Sequence, residues 1–150
     1  MISNSMLLWC PCCKAIIHGS EKFPLLHGTV SFINARCGTL VITELYDLPS
    51  NDGLYAMHIH NGTECTGNHL DPFADSGLHL NLKNTNHPFH TGDLPTIFSN
   101  NGYSWSAVYT NRFQPAQVKG HTVIIHSDPD DYHSQPSGSS GEKIACGEIR

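Results

Sequence analysis

Helical periodicity is almost absent from this chain, and that constrains its fold more than any other feature. Short runs of β-branched and aromatic residues alternate with Gly, Pro, Asn and Asp, the pattern of an all-β barrel or sandwich. The spacing predicts strands over Lys14–His18, Leu26–Asn34, Gly38–Leu45, Leu54–His60, Ile97–Asn100, Ser104–Thr110, Thr122–His126 and Ile144–Ile149. Turn signals separate them at Arg36-Cys37-Gly38, Pro49-Ser50-Asn51-Asp52-Gly53 and Asn100-Asn101-Gly102. Phe113–Lys119 has room for one helical turn at most. The expected architecture is a β-barrel or sandwich of about eight antiparallel strands.

Two stretches are too long for hairpin connections. Asn61–Pro95 and Ser127–Lys143 are rich in Gly, Pro, Ser and Asp, and loops of this length in a compact domain are functional or disordered. They hold most of the His, Asp and Cys residues that could do chemistry, which favours function. At 150 residues the chain suits one domain with one core. Residues 1–13 read as a loosely ordered N-terminal extension.

Composition narrows the function classes. A net charge of −5 gives no basic field for nucleic acid. No run approaches the ~18 apolar residues that span a bilayer. Met6–Cys13 lacks the basic flank of a secretory signal, so a cytoplasmic location is expected. Eleven His are the anomaly and point to imidazole chemistry. The six Cys (Cys10, Cys12, Cys13, Cys37, Cys65 and Cys146) form no repeated Cys-x-x-Cys pairs. Cys10, Cys12 and Cys13 read as an unpaired terminal cluster, and no role is assigned to them or to Cys37.

Metal ligation is the chemistry the His pattern supports. On a strand, His58 and His60 share a face while Met57 and Ile59 point into the barrel. Two such imidazoles lie about 7 Å apart and can converge on one ion. His79, His87, His90 and Asp93 fall within fifteen residues and make a three-nitrogen, one-carboxylate set suited to zinc. A structural metal there would fix a loop that has no core of its own. His126 ends the apolar strand Val123-Ile124-Ile125, and Asp130 is placed to orient ligand imidazoles. Tallied together, His58, His60, His126 and a shared His79 make an all-imidazole set that suits copper.

With these residues in view, His58-Ile59-His60, Gly77-x-His79-x-Asn81, His90-Thr91-Gly92-Asp93-Leu94-Pro95 and Gly141-x-x-Ile144-Ala145-Cys146-Gly147 resemble the copper–zinc superoxide dismutases. The resemblance runs from about Ala15 to Arg150. It implies a Greek-key β-barrel and copper ligands His58, His60, His79 and His126. It also implies zinc ligands His79, His87, His90 and Asp93, with Asp130 linking the two shells. Cys65 and Cys146 match the family's disulfide, and closing a loop of about 80 residues would contribute roughly 4 kcal/mol. Ser137 matches a small hydroxyl residue beside the copper, and Lys143 stands where the family places an Arg over it.

The implied reaction converts superoxide to dioxygen and hydrogen peroxide by alternate reduction and reoxidation of copper. Lys143 would dock the anion and His79 would deliver a proton. The sequence departs from the family in three places. Lys143 supplies an ammonium in place of a bidentate guanidinium, which predicts a weaker anion site. Only Pro88 and Phe89 separate His87 from His90, which predicts a strained, weak or reshaped zinc site. The stretch Thr66–Leu78 is extended, and its His69, Asp71 and Asp75 read as solvated loop residues, as do His18, His27, His121 and His133. Rival readings are a copper-only dismutase and a copper-binding module that has lost turnover. A zinc hydrolase is disfavoured, because no His-Glu-x-x-His helix occurs. Monomer or homodimer is left open.

Overall fold

Alternation along the strands dictates how they pack. In a computed structural model, which describes residues 11–150, Cys13–Gly19 (β1) buries Cys13, Ala15 and Ile17 and turns Lys14, Ile16 and His18 outward. The same period-two pattern runs through His27–Ala35 (β2), Gly38–Tyr46 (β3) and Ser104–Thr110 (β7), as half-buried antiparallel strands require. The remaining strands are Asp52–Tyr55 (β4), Met57–His60 (β5), Ile97–Asn100 (β6), Thr122–His126 (β8) and Lys143–Glu148 (β9). One helical turn, α1 at Pro115–Val118, falls within the segment expected to hold it. Cys10 and the rest of residues 1–10 lie outside the described residues. Cys13 belongs to the sheet rather than to an extension, since it pairs with Phe32, and Cys12 N–H just before it donates to Phe32 O at 2.8 Å.

Seven strands form one antiparallel sheet in the order β5-β8-β9-β1-β2-β3-β7, and β4 pairs with β6. Between β3 and β7, which are neighbours, the chain crosses to the far edge to lay down β5, which gives the Greek-key connection. The expectation of an all-β Greek-key barrel is borne out. Ala15, Ile17, Val30, Phe32, Val41, Leu45, Met57, Ile59, Val123, Ile125 and Ile144 pack into one core, all at most 2% exposed. Burying each large aliphatic or aromatic side chain contributes about 1.5–3 kcal/mol.

One strand expectation needs correction. Leu54–His60 reads as a single strand, but the chain changes partners at Ala56. Tyr55 pairs with Ile97 of β6, while Met57 pairs with Ile125 of β8. Ala56 itself donates to Asp128 O at 2.8 Å and accepts from His126 N–H at 2.9 Å. The switch carries β5 to the sheet edge beside β8.

That edge is where the long loops settle. Every residue of β8 is buried, so both of its faces are covered. Val123 and Ile125 face the core, whereas Ile124 packs with Phe73, Cys65 and Cys146 beneath the first long loop. His58 and His60 are on the same outward face of β5, at 0% and 2% exposure.

Candidate metal centre

Residues 78–93 lie against β5 as an added edge. Leu80 N–H donates to Ile59 O at 2.8 Å, Asn61 N–H to Leu78 O at 2.8 Å, and Ile59 N–H to Gly92 O at 2.9 Å. This register sets His79 opposite His60 and Asp93 opposite His58. Gly92 permits the approach, because a Cβ there would stand 2.2 Å from Ile59 O. His126 joins from the end of β8, where the β8–β9 register shifts between Ile125 and His126.

Two clusters result. Each residue of His58, His60, His79 and His126 offers a ligand atom within 4.8 Å of the others, and His79, His87, His90 and Asp93 do the same. All seven residues are buried, and His79 belongs to both sets. The shortened segment between His87 and His90 therefore still brings four donors together.

Hydrogen-bond partners fix which nitrogen each ring offers. A carboxylate or carbonyl oxygen only accepts, so the ring nitrogen facing it carries the proton and the other nitrogen keeps its lone pair. His58 Nε2 donates to Asp130 Oδ2 at 2.7 Å, leaving Nδ1 bare. His87 Nε2 donates to Asp130 Oδ1 at 2.8 Å, again leaving Nδ1. His60 Nδ1 donates to Gly77 O at 2.9 Å, so its Nε2 is bare and lies 3.4 Å from His126 Nε2. His79 Nδ1 donates to Asp93 Oδ1 at 2.7 Å. Nδ1 of His58, Nε2 of His79, and Nδ1 of His87, His90 and His126 are buried without a hydrogen-bond partner. Orphaned buried acceptors are costly, and a cation within each donor set would satisfy ring nitrogens of this kind.

The electrostatics agree. Burial, with the neighbouring imidazoles of His126 and His79, pushes His60 well below the ordinary imidazole range. Burial with the charges of His58 and His79 takes His126 down to about 3. Burial also lowers His58, although Asp130 opposes it. These rings are neutral near pH 7, which ligation requires. Burial raises the Asp93 carboxyl, but the His79 hydrogen bond and the charges of His79, His87 and His90 outweigh it and bring the group to about 2. A four-imidazole set suits copper and a His₃Asp set suits zinc.

Asp130 spans His58 and His87, and Tyr132 N–H fixes its Oδ1 at 2.7 Å. The cradle is tight, since a Cβ on Gly138 would stand 2.0 Å from Asp130 Oδ1. Cys65 and Cys146 form a disulfide across 81 residues, with Cα atoms 5.7 Å apart. Ser137 and Lys143 line the same cavity as His60, His79 and His126. His18, His27, His69 and His133 are exposed, and His121 bonds Asn61 O.

Asp71 is a correction. It is not simply solvated, because its Oδ2 accepts from Lys143 Nζ at 2.9 Å. Two other residues escaped the sequence reading. Arg112 Nη1 donates to Pro88 O, His90 O and Asp93 O at 2.8, 3.2 and 3.1 Å, gathering the segment that carries two zinc-set ligands. Gln135 clasps the His87 backbone from the second long loop, accepting from its N–H at 3.0 Å and donating to its carbonyl at 2.7 Å. No local pattern announces either contact.

A four-nitrogen site and a His₃Asp site sharing one imidazole, on the edge of a Greek-key barrel, define a protein built to hold two different metals side by side. Residues 26–149 match the family model described as copper/zinc superoxide dismutase. The chain is 31% identical over 137 residues to the Cu-Zn superoxide dismutase of Photobacterium leiognathi, covering 82% of this chain and 78% of the relative. It is 32% identical over 144 residues to that of Legionella pneumophila, covering 91% and 85%. The Cu/Zn superoxide dismutase structure from Brucella abortus superposes with a TM-score of 0.80 at 25% identity, covering 91% of this chain and 98% of that one. The chain belongs to the copper/zinc superoxide dismutase family. Copper and zinc are its cofactors, and it is an oxidoreductase acting on superoxide.

Proposed function

We propose that dismutation takes place at a copper held by His58, His60, His79 and His126, beside a zinc held by His79, His87, His90 and Asp93. The observation that carries this assignment is the shared position of His79 in both donor sets. Copper held there would supply the one-electron redox couple that dismutation of superoxide requires.

The chain's own residues do the rest. Lys143 lines the cavity that reaches His60, His79 and His126, and its ammonium supplies the positive charge that attracts a small monoanion. His79 belongs to both donor sets, with Nδ1 against Asp93 Oδ1 at 2.7 Å and Nε2 buried without a partner. Its unpartnered Nε2 is the atom from which it would deliver a proton to the substrate. Asp93 holds His79 from the zinc side at 2.7 Å, and Asp130 holds His58 and His87. Burial of the ligands keeps water from competing for their lone pairs.

Superoxide decay followed directly by pulse radiolysis tests this reading, with protein carrying copper alone and then copper plus zinc. Catalytic decay that needs copper and rises with zinc supports it. Full-rate decay by His126→Ala would refute the assigned copper set. Copper binding without decay would leave a metal-holding module of the same fold.

A further inference from the structure

We propose that Asp71 is a positioning residue for the dismutation reaction, holding the Lys143 ammonium in the geometry that receives the anion. The inference rests on Lys143 being the anion dock.

Lys143 opens β9, and three residues later Cys146 is bridged to Cys65. Asp71 follows Cys65 by six positions, so the extended segment is tied to β9 at two points: the disulfide and the Asp71–Lys143 pair. The carboxylate is itself immobilised. Its Oδ1 accepts from Phe73 N–H at 2.9 Å, while Asp71 N–H donates to Asn68 Oδ1 at 3.1 Å and Asn68 N–H to Asp71 O at 2.9 Å. Oδ2 is left to take Lys143 Nζ at 2.9 Å. A second acceptor, Phe73 O, lies 3.0 Å from the same ammonium. An ammonium has three N–H donors, so two are committed to the loop and one is left for a ligand. Lys143 and Asp71 line one cavity with His60, His79 and His126.

Charge alone argues the opposite role. A carboxylate in the wall of an anion channel repels the substrate, so its removal should tighten anion binding. A lysine stem, however, is flexible, and ordering it on binding costs affinity that a clamp has already supplied. The two effects differ in sign, which makes the proposal decidable.

The probe is azide, a small monoanion, titrated against the copper(II) spectrum of the copper- and zinc-loaded protein, alongside kcat/KM for superoxide. Asp71→Ser retains a hydroxyl for the Phe73 turn but is too short to reach the ammonium. We expect it to weaken azide binding and lower kcat/KM by about three- to tenfold. Asp71→Asn keeps an acceptor for Lys143 without the charge, and it should bind azide at least as tightly as the native protein. In a Lys143→Ala background, Asp71→Ser should cause no loss. Unchanged or tighter azide binding by Asp71→Ser alone would overturn the proposal, as would an equal loss with Lys143 absent. Azide binding and turnover untouched by Lys143→Ala would instead overturn the docking role assigned to Lys143. Spectroscopic dependence on Asp71 in a protein that does not turn over would sustain the positioning and refute the activity.

Discussion

Asp130 Oδ2 lies 2.7 Å from His58 Nε2, and both side chains are fully buried. The other oxygen of Asp130 takes His87 Nε2, so one carboxylate sets the tautomer of a copper-set ring and a zinc-set ring together. Asp130→Ala should weaken both metals, by about 10–100-fold, while leaving the barrel folded. Chelator competition for copper and zinc measures it. Loss confined to one metal would show that the carboxylate does not couple the two sites.

Arg112 carries the short zinc segment in a different way. Its Nη1 reaches three backbone carbonyls between Pro88 and Asp93, within a stretch that has only two residues between its His ligands. Arg112→Met keeps much of the stem but leaves those carbonyls without their charged donor, a loss of about 1.5–3 kcal/mol. Zinc affinity should fall more than copper affinity, because His58, His60 and His126 lie elsewhere. Equal loss of both metals, read from metal content after dialysis, would contradict this.

The strands, the His58–His60 pair and the clustered His79, His87, His90 and Asp93 were legible because they rest on local pattern. His58 and His60 follow from period two, and β1 through β3 from alternation sharpened by turn residues. The partner switch at Ala56 was not legible, since Leu54-Tyr55-Ala56-Met57 contains no turn former. The contacts of Asp71 with Lys143, Gln135 with His87 and Arg112 with the zinc segment were hidden for another reason. Each joins residues far apart in sequence, 72 positions in the case of Asp71 and Lys143, and each depends on how two loops fold over the sheet edge. Lys143 could be recognised as a cavity cation, but its partner could not.

His79 offers the sharpest stoichiometric test. Replacing His60 removes a donor from one set only, and replacing His90 does the same for the other. His79→Ala removes a donor from both. Metal analysis should show reduced copper in His60→Ala, reduced zinc in His90→Ala, and reduced content of both in His79→Ala. Normal zinc in His79→Ala would mean that the ring does not serve the second site.

The disulfide joins the extended loop to β9 across 81 residues, with Cys146 buried beside Ile124 and Phe73. Cys65→Ser/Cys146→Ser should lower stability by roughly 4 kcal/mol in the chain-entropy model. Because the Asp71–Lys143 contact depends on where that loop sits, superoxide turnover should fall as well. Denaturation midpoints and kcat/KM check the two effects separately. Lost stability with intact turnover would show that the loop holds its place without the bridge.

Acid should destabilise the metal-free protein, and the sign follows from the ligand rings. Burial lowers the pKa of His58, lowers that of His60 strongly, and takes His126 to about 3, against an ordinary value near 6.5 in the unfolded chain. Between those limits the unfolded state binds protons that the native state refuses, so stability falls as pH drops below about 6.5. Below the ordinary carboxyl range the effect continues, because Asp93, lowered to about 2, must also be protonated. His133, raised by Asp131, works in the opposite sense but is exposed. Urea midpoints of the apo-protein between pH 7.5 and pH 4.5 should fall steadily, and His126→Gln should flatten the slope by removing one titrating ring. A midpoint that stays constant from pH 7 to pH 5 would show that the rings take up protons in the native state, and that burial does not hold them neutral for metal.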